Sequence, residues 1–320
     1  MNSVVTGLGA ALPKKIILNN DLPDSLNTSD EWITQRTGIK QRYVAGDGET
    51  TASLSVEASR KALAMAGVSP NDVDLIIVAT VSGDYTFPAT ATIVQRELNA
   101  KNAVAFDVSA ACSGFIYALD IADARLKLAK NKCALVIGAE TFSRLLDWTD
   151  RSTCVLFGDG AGALLLQSEN SSRGIQSCIL HSDGTGIEYL KTNGGVSSTK
   201  NVGFVQMNGQ EVFRAAIEKF NDALQELLLY HNMTINDVDL IVPHQANSRI
   251  IEKLITLSGI KREKVLITVD KHANTSAASI PLAMSELGCE IFKKNNVVLL
   301  SMGAGFTWGA ALIKFNTNLE

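Results

Sequence analysis

Cysteine, histidine, proline and charge are all scarce in this chain of 320 residues. Its 5 cysteines, Cys112, Cys133, Cys154, Cys178 and Cys289, are odd in number, widely spaced and never in a C-x-x-C pair. That pattern speaks against a disulfide framework or a cysteine zinc site and fits a reducing compartment. Charged residues make up 19% and the net charge is -4, which argues against a general nucleic-acid or membrane-surface binder. No run reaches the roughly 18 consecutive apolar residues of a membrane-spanning helix. The opening, MNSVVTGLGAALPKKI, places its lysines after the apolar part, the reverse of a secretory signal. The expectation is a soluble cytoplasmic protein with no nucleic-acid or membrane partner.

Apolar residues are abundant at 46%, enough for a large core and too many for a disordered chain. The length allows one large or two ordinary domains. Residues 2–10 read as a strand. Ser29 is placed to cap a short helix entered at Glu31-Trp32-Ile33, residues 50–66 read as an amphipathic helix stopped by Gly67, and 90–98 as another helix. Residues 73–80 and 133–138 read as buried strands, and 155–166 as a glycine turn followed by a strand. In the stretch 105–119, AFDVSAACSGFIYAL, an apolar run gives way to very small residues and then to helical spacing. Lys127 and Lys130 are expected in that helix's last turn, with Asn131 as its stop. Residues 169–205, rich in Ser, Gly and Asn, read as short strands and exposed loops joining two halves.

The phrase NDVDLI stands at 71–76 and again at 236–241, each time after a helix (the second over 209–231) and each time opening a strand. Residues 265–270 followed by KHANTSAAS parallel 104–107 followed by VSAACSG, and 296–314 parallel CALVIG together with FGDGAGALLL. Three matched segments in one order imply a duplicated α/β unit, with halves at 1–170 and 171–320. Buried strands alternating with helices imply mixed sheets sandwiched by helices.

Cys112 falls at a strand-to-helix turn, and two readings of it stand. An unpaired cysteine is usually a small buried hydrophobe. A helix start also carries unpaired N–H groups and partial positive charge, which favour a reactive thiolate. The small neighbours Ala110, Ala111, Ser113 and Gly114 leave room for a substrate. The equivalent turn of the second half carries Asn274. His244, in PHQAN, leaves the C-terminal end of the repeated strand, where open α/β sheets place their sites. A cysteine nucleophile needs a partner to reach thiolate, and its intermediates need hydrogen-bond donors, which His and Asn supply without adding negative charge. No cluster suited to a metal or redox cofactor stands out.

The motifs TSDEWITQRTGI, DVSAACSGF, FGDGAGA, VPHQAN, HANTSAAS and GAGFTWGAALIKF resemble those of the beta-ketoacyl-acyl-carrier-protein synthase III family, from near the N-terminus to the end of the chain. These are condensing enzymes that start type II fatty acid synthesis. The resemblance implies a thiolase-like fold and a catalytic set of Cys112, His244 and Asn274. The Asn discriminates, because elongating synthases carry a second His there and hydroxymethylglutaryl-CoA synthases rely on a Glu base. The implied reaction is a decarboxylative Claisen condensation of a short acyl-CoA, acetyl-CoA above all, with malonyl-ACP. An acyl group would rest on Cys112. The backbone N–H of Cys112 and one from the Gly303-Ala304-Gly305 turn, that of Ala304, would hold the oxyanion. No cofactor or metal is implied, and acyl carrier protein and a second copy of the chain are the implied partners.

The family also implies that Trp32 and Arg151 sandwich the CoA adenine, that Arg36 meets its phosphates, and that Gly209, Phe213 and Asn247 line the pantetheine tunnel. Arg249 would dock acyl carrier protein, an acidic partner. Gln245, Ala246, Asn247 and Ser248 would lie beside it, and Arg214 and Lys253 would extend the patch. Thr256 and Leu257 stand where relatives often carry further lysines. Val81, Phe142, Leu156 and Phe157, with Phe87 of the partner subunit, would line the acyl cavity. Phe142 is bulkier than the aliphatic residue common there, so the expected primer is acetyl or propionyl. Two other readings are an acyl-condensing or acyl-transfer enzyme of secondary metabolism on the same scaffold, and a non-enzymatic scaffold protein.

Overall fold

The computed structural model describes residues 1–316. From the N-terminus run β1 (Asn2–Ala11), β2 (Lys15–Leu18), α1 (Asp30–Thr37), β3 (Gln41–Val44), α2 (Thr51–Ala66), β4 (Leu75–Ala79), α3 (Thr90–Leu98), β5 (Val104–Val108), α4 (Gly114–Lys127), β6 (Cys133–Glu140) and β7 (Gly160–Glu169). Then follow β8 (Gly174–Ser182), β9 (Leu190–Thr192), β10 (Val205–Met207), α5 (Gly209–Tyr230), β11 (Leu240–Pro243), α6 (Ser248–Ser258), α7 (Val269–His272), α8 (Ser279–Leu287), β12 (Asn296–Gly303) and β13 (Thr307–Lys314).

Helix ends follow local chemistry. The Ser29 hydroxyl accepts from Trp32 N at 3.1 Å and caps α1. Thr50 and Ser53 cap α2 reciprocally, and Gly67 ends it in the left-handed region. The end of α4 differs from expectation. The helix stops at Lys127, and Ala129, at φ 53°, turns the chain, so Lys130 and Asn131 lie beyond it. The Asn131 side chain instead accepts from Arg125 Nε and donates to the Asp74 carbonyl.

One sheet has the order β1-β7-β6-β4-β5, the other β11-β12-β13-β8. Both are mixed: β6, β4 and β5 are mutually parallel, as are β11 and β12, and the remaining neighbours are antiparallel. Alternation along β4 sorts its side chains. Leu75, Ile77 and Ala79 join the core between the sheets, which α4 and α8 fill, while Ile76 and Val78 meet α2 and α3 on the outer face. Helices α5 and α6 cover the outer face of the second sheet. The result is five layers, helix-sheet-helix-sheet-helix. Among the described residues no helix is long and apolar enough to cross a membrane.

Two segments depart from the sequence reading. The presumed connection contains β8, a strand of 9 residues that forms the edge of the second sheet; most of it is half-exposed without alternation, which hid it among loops. The expected strand at 265–270 is reduced to one parallel bridge between Val265 and Ile241. The Gln245 side chain takes the N–H groups of Thr268 and Val269, satisfying there what a sheet ladder would have satisfied.

The repeated phrase has a physical job. Asp74 accepts from Lys132 N and Cys133 N, and Asp239 from Asn295 N and Asn296 N, so each aspartate caps the start of the neighbouring parallel strand. The spacing that carries Asn71 onto Asn236 carries Ala111 onto Ser276, both left-handed at φ 46° and 50°. It also carries Gly138 onto Gly303, and Cys112 onto Ala277. Asn274 therefore corresponds to Ser109 and stands three residues before the position equivalent to Cys112. The 3-10 turns Ala111–Ser113 and Ser276–Ala278 lead into α4 and α8, and each packs on the last glycine of the other half's central strand. A Cβ on Gly138 would stand 2.2 Å from the Ala277 carbonyl oxygen, and one on Gly303 2.7 Å from Cys112 N.

Gly138→Ala is expected to destabilise the protein by about 3 kcal/mol, the upper range for overpacking against backbone. Thermal unfolding measures it, and an unchanged midpoint would contradict the close approach.

Candidate active site

Cys112 lies in the turn just before α4, 6% exposed, with its carbonyl accepting from Ser301 Oγ at 2.8 Å. Burial pushes its thiol up to about 12; the Ser276 hydroxyl works against this and the charge of Glu140 adds to it. The thiolate expected from the helix start is therefore not the resting form. Removal from water outweighs the partial charge of the turn, and Cys112 rests as a thiol.

His244 follows β11 and is 2% exposed. Its Nδ1 meets Ser279 Oγ at 2.6 Å, and the same oxygen accepts from Gln245 N at 3.3 Å. Nδ1 is the one acceptor that the Ser279 hydroxyl meets among the described residues, so the hydroxyl donates to it and the imidazole proton sits on Nε2. Burial lowers the His244 pKa to about 3, so the ring is neutral. Asn274 is held by backbone bonds to Leu156 and Gly158 on both sides of Phe157. Its Oδ1 accepts from Ser276 N at 2.8 Å, which leaves Nδ2 as the donor to offer. His244 and Asn274 thus present N–H groups, and neither presents charge.

Two cavities meet at Cys112. The wider, about 300 Å³, is lined by Val81, Phe142, Phe157, Leu190, Val205 and Ala304, among others. The Phe142 and Phe157 rings stack at 4.2 Å on its wall. The narrower, about 80 Å³, brings together Cys112, His244 and Asn274 with Asn247, Gly209 and Phe213. Leu156, expected in the acyl cavity, lines this second one. Phe87 lines neither and is 83% exposed. Ala304 needs no left-handed backbone; Gly305 takes that conformation at φ 133°.

Toward the surface, the guanidiniums of Arg36 and Arg151 lie 4.4 and 5.3 Å from the centre of the Trp32 ring. Arg151 is anchored to the Asn27 carbonyl at 2.7 Å. Arg249 lies over the Phe213 ring and shares a groove with Lys253, Glu252 and Thr256. Asn247 caps α6 through Arg249 N, Ser248 is half-buried beside it, and Ala246 lines the narrower cavity. One expected docking residue falls elsewhere. Gln245 is buried, with its amide bonded to the Pro243 and Leu266 carbonyls and the Thr268 and Val269 N–H groups, so it faces no partner. Arg214, next in the chain to Phe213, is exposed and ion-paired to Glu211.

Sequence reasoning missed Ser279, Ser276 and Glu140. Glu140 ends β6 wholly buried and accepts from Thr80 Oγ1, Val81 N, Ser82 Oγ and Ser276 Oγ. Burial pushes its carboxyl up to about 7 against those bonds. The available signal was a lone acid closing the apolar run CALVIGAE. Among the described residues no cluster of His, Cys, Asp and Glu could hold a metal ion.

A sequence model described as 3-oxoacyl-[acyl-carrier-protein (ACP)] synthase III matches residues 106–184, and its C-terminal counterpart matches 228–315. The chain is 51% identical over 316 residues to beta-ketoacyl-[acyl-carrier-protein] synthase III of Rhizorhabdus wittichii, covering 98% of this chain and 99% of that one. Among solved structures it resembles 3-oxoacyl-[acyl-carrier-protein] synthase III from Aquifex aeolicus, with a TM-score of 0.93 and 44% identity over 98% of this chain and 99% of the other. The synthase III from Pseudomonas aeruginosa has a TM-score of 0.93 and 37% identity over the whole of both chains.

Because His244 ionises at about 3 when folded and at 6.5 when free, the unfolded chain binds the extra proton between those values. Stability from this site is intact above 6.5 and falls as the pH drops toward 3. The His244 imidazole resonance is expected to stay unshifted from about pH 8 to pH 5 in an NMR titration; a midpoint near 6.5 would overturn the neutral assignment.

Proposed function

The chain belongs to the 3-oxoacyl-[acyl-carrier-protein] synthase III family, and on that premise we propose how its residues carry the reaction. It is an acyltransferase of type II fatty acid synthesis. It catalyses the initiating decarboxylative condensation of a short acyl-CoA with malonyl-ACP to 3-oxoacyl-ACP, CoA and CO2. The observation that carries the assignment of residues is the narrow cavity where Cys112, His244 and Asn274 meet.

In the first half, the Cys112 sulfur attacks the thioester carbonyl of acetyl-CoA. The N–H groups of Cys112 and Ala304 hold the oxyanion, CoA leaves, and the acyl group stays on sulfur. In the second half, the malonyl thioester oxygen sits against His244 Nε2 and Asn274 Nδ2. These neutral donors stabilise the enolate as CO2 departs, and no positive or negative charge has to be dismissed first. The carbanion then attacks the acyl carbon, the bond from that carbon to the Cys112 sulfur breaks, and 3-oxoacyl-ACP leaves with Cys112 freed as a thiolate. Sulfur and hydrogen-bond donors supply this chemistry, so the reading calls for no cofactor.

The same reading places the CoA adenine between Trp32 and Arg151, since indole and guanidinium planes both stack on a base. Arg151 engages the ring face, Arg36 the phosphates, and Gly209, Phe213 and Asn247 the pantetheine. Acyl carrier protein docks on Arg249 and Lys253, beside Ala246, Asn247 and Ser248. Val81, Phe142 and Phe157 wall the acyl group. The cavity of about 300 Å³ exceeds what acetyl fills, and Phe87 of the partner subunit takes up part of it. A homodimer is supported by β5, an unpaired sheet edge whose Val104 is 51% exposed, and by the exposure of Phe87. The halves 1–170 and 171–320 act as one unit in the cytoplasm.

Incubation with acetyl-CoA is expected to place one acetyl group on the peptide containing Cys112, read by mass spectrometry, and none in Cys112→Ala. Arg249→Glu should slow turnover with malonyl-ACP by about tenfold or more and leave acylation by acetyl-CoA intact. Absence of acylation in the unmodified enzyme would sink the reading.

A further inference from the structure

The acylation step needs somewhere for the Cys112 proton to go. Cys112 rests as a thiol, and no carboxylate lines either cavity that opens on it. His244 already carries its proton on Nε2, with Nδ1 engaged by Ser279. The buried side of the sulfur is different. Ser276 stands in the turn that packs against the Cys112 turn, its hydroxyl bears on the Cys112 thiol, and it donates to Glu140 Oε1 at 3.1 Å. Ser276 N is bonded to Asn274 Oδ1, and its backbone is held at φ 50°, a left-handed conformation costly for serine. One residue thus ties together the nucleophile, a wholly buried carboxyl and the second oxyanion donor.

We propose that Glu140 accepts the Cys112 proton through the Ser276 hydroxyl when the acyl group is loaded. The proposal rests on Cys112 being the acyl acceptor. The Cys112 S–H bond breaks as Ser276 Oγ takes its proton, while the original Ser276 proton moves to Glu140 Oε1. The freed sulfur electron pair forms the bond to the thioester carbon. The oxyanion collapses, the bond from that carbon to the CoA sulfur breaks, and CoA leaves as its thiolate and takes a proton from water; in the condensation step the freed Cys112 thiolate takes its own proton back along the same path. Glu140 returns to carboxylate. Transfer also neutralises Glu140 at the moment the thiolate appears, removing the like-charge penalty between them. Burial against four donors leaves this carboxyl able to change protonation near neutral pH. Cys112 is the titratable group its charge acts on, and its bonded neighbours Thr80, Val81, Ser82 and Ser276 are uncharged.

The test is the rate of Cys112 acylation by acetyl-CoA, followed by rapid-quench mass spectrometry across pH. The wild-type rate is expected to rise through about 7 and level off. Glu140→Gln should lose that rise and run about 100-fold slower on the plateau, the range of a lost proton acceptor. Glu140→Asp should restore part of both. Ser276→Ala, with the carboxyl kept, should give the same slow, flat profile. A folded Glu140→Gln enzyme that acylates at the wild-type rate, or whose Cys112 reacts faster with iodoacetamide while keeping the pH inflection, would show Glu140 to be a nearby charge and overturn the proposal. Should Glu140→Gln fail to fold, a wild-type profile in Ser276→Ala overturns it equally. Failure of the underlying reading would look different, as no acylation in the wild type at any pH.

Discussion

The backbone of the Ala111–Ser113 turn lies against Gly303, and that of Ser276–Ala278 against Gly138, with no space for a Cβ at either glycine. The geometry of the site depends on this reciprocal contact. It presses the nucleophile's turn into the second half and the Asn274–Ser276 segment into the first. Cys112, Asn274 and Glu140 thereby come together although they belong to different layers. The two left-handed residues Ala111 and Ser276 occupy matching places in the two turns. Their conformations, costing about 1–3 kcal/mol each, are held by the packing of the whole five-layer core.

The site that results is neutral at rest. A thiol, an unprotonated imidazole and an amide face the cavities, and burial is the main cause of the first two states. Neutrality suits a reaction whose charges appear only in passing, first as an oxyanion on the loaded thioester and then as an enolate. It also restricts stability with pH. Burying His244 withholds stability as the pH falls below 6.5, and Glu140, raised from 4.5 to about 7, withholds it as the pH rises through that range. The two penalties run in opposite directions with pH across the acidic range, where their windows overlap, and both follow from keeping the groups out of water.

Ser276 and Ser279 divide the hydrogen-bond work of one short segment. Ser279, at the first position of α8, orients His244 toward the chamber. Ser276 faces the other way, to Glu140 and the sulfur. The phrase NTSAAS was visible in the sequence, yet its two serines were passed over beside the Asn because small polar residues at a helix start are common capping groups.

Much of the fold was legible because it depends on local pattern. Alternating apolar strands, the capping residues Ser29 and Thr50, the stop at Gly67 and the repeat of NDVDLI all act within a few residues of themselves. Cys112 and His244 were likewise marked by small or polar neighbours at a strand end, and Asn274 by the small residues that follow it. The readings that failed concern long-range partners: the edge strand β8, the strand at 265–270 replaced by the Gln245 side chain, the burial of Gln245 itself, and the protonation of Cys112. The sequence by itself determined which residues could do chemistry and which elements carry them. Only the tertiary structure decided their charge states and their partners, because desolvation and hydrogen bonding are set by whatever the distant parts of the chain bring alongside.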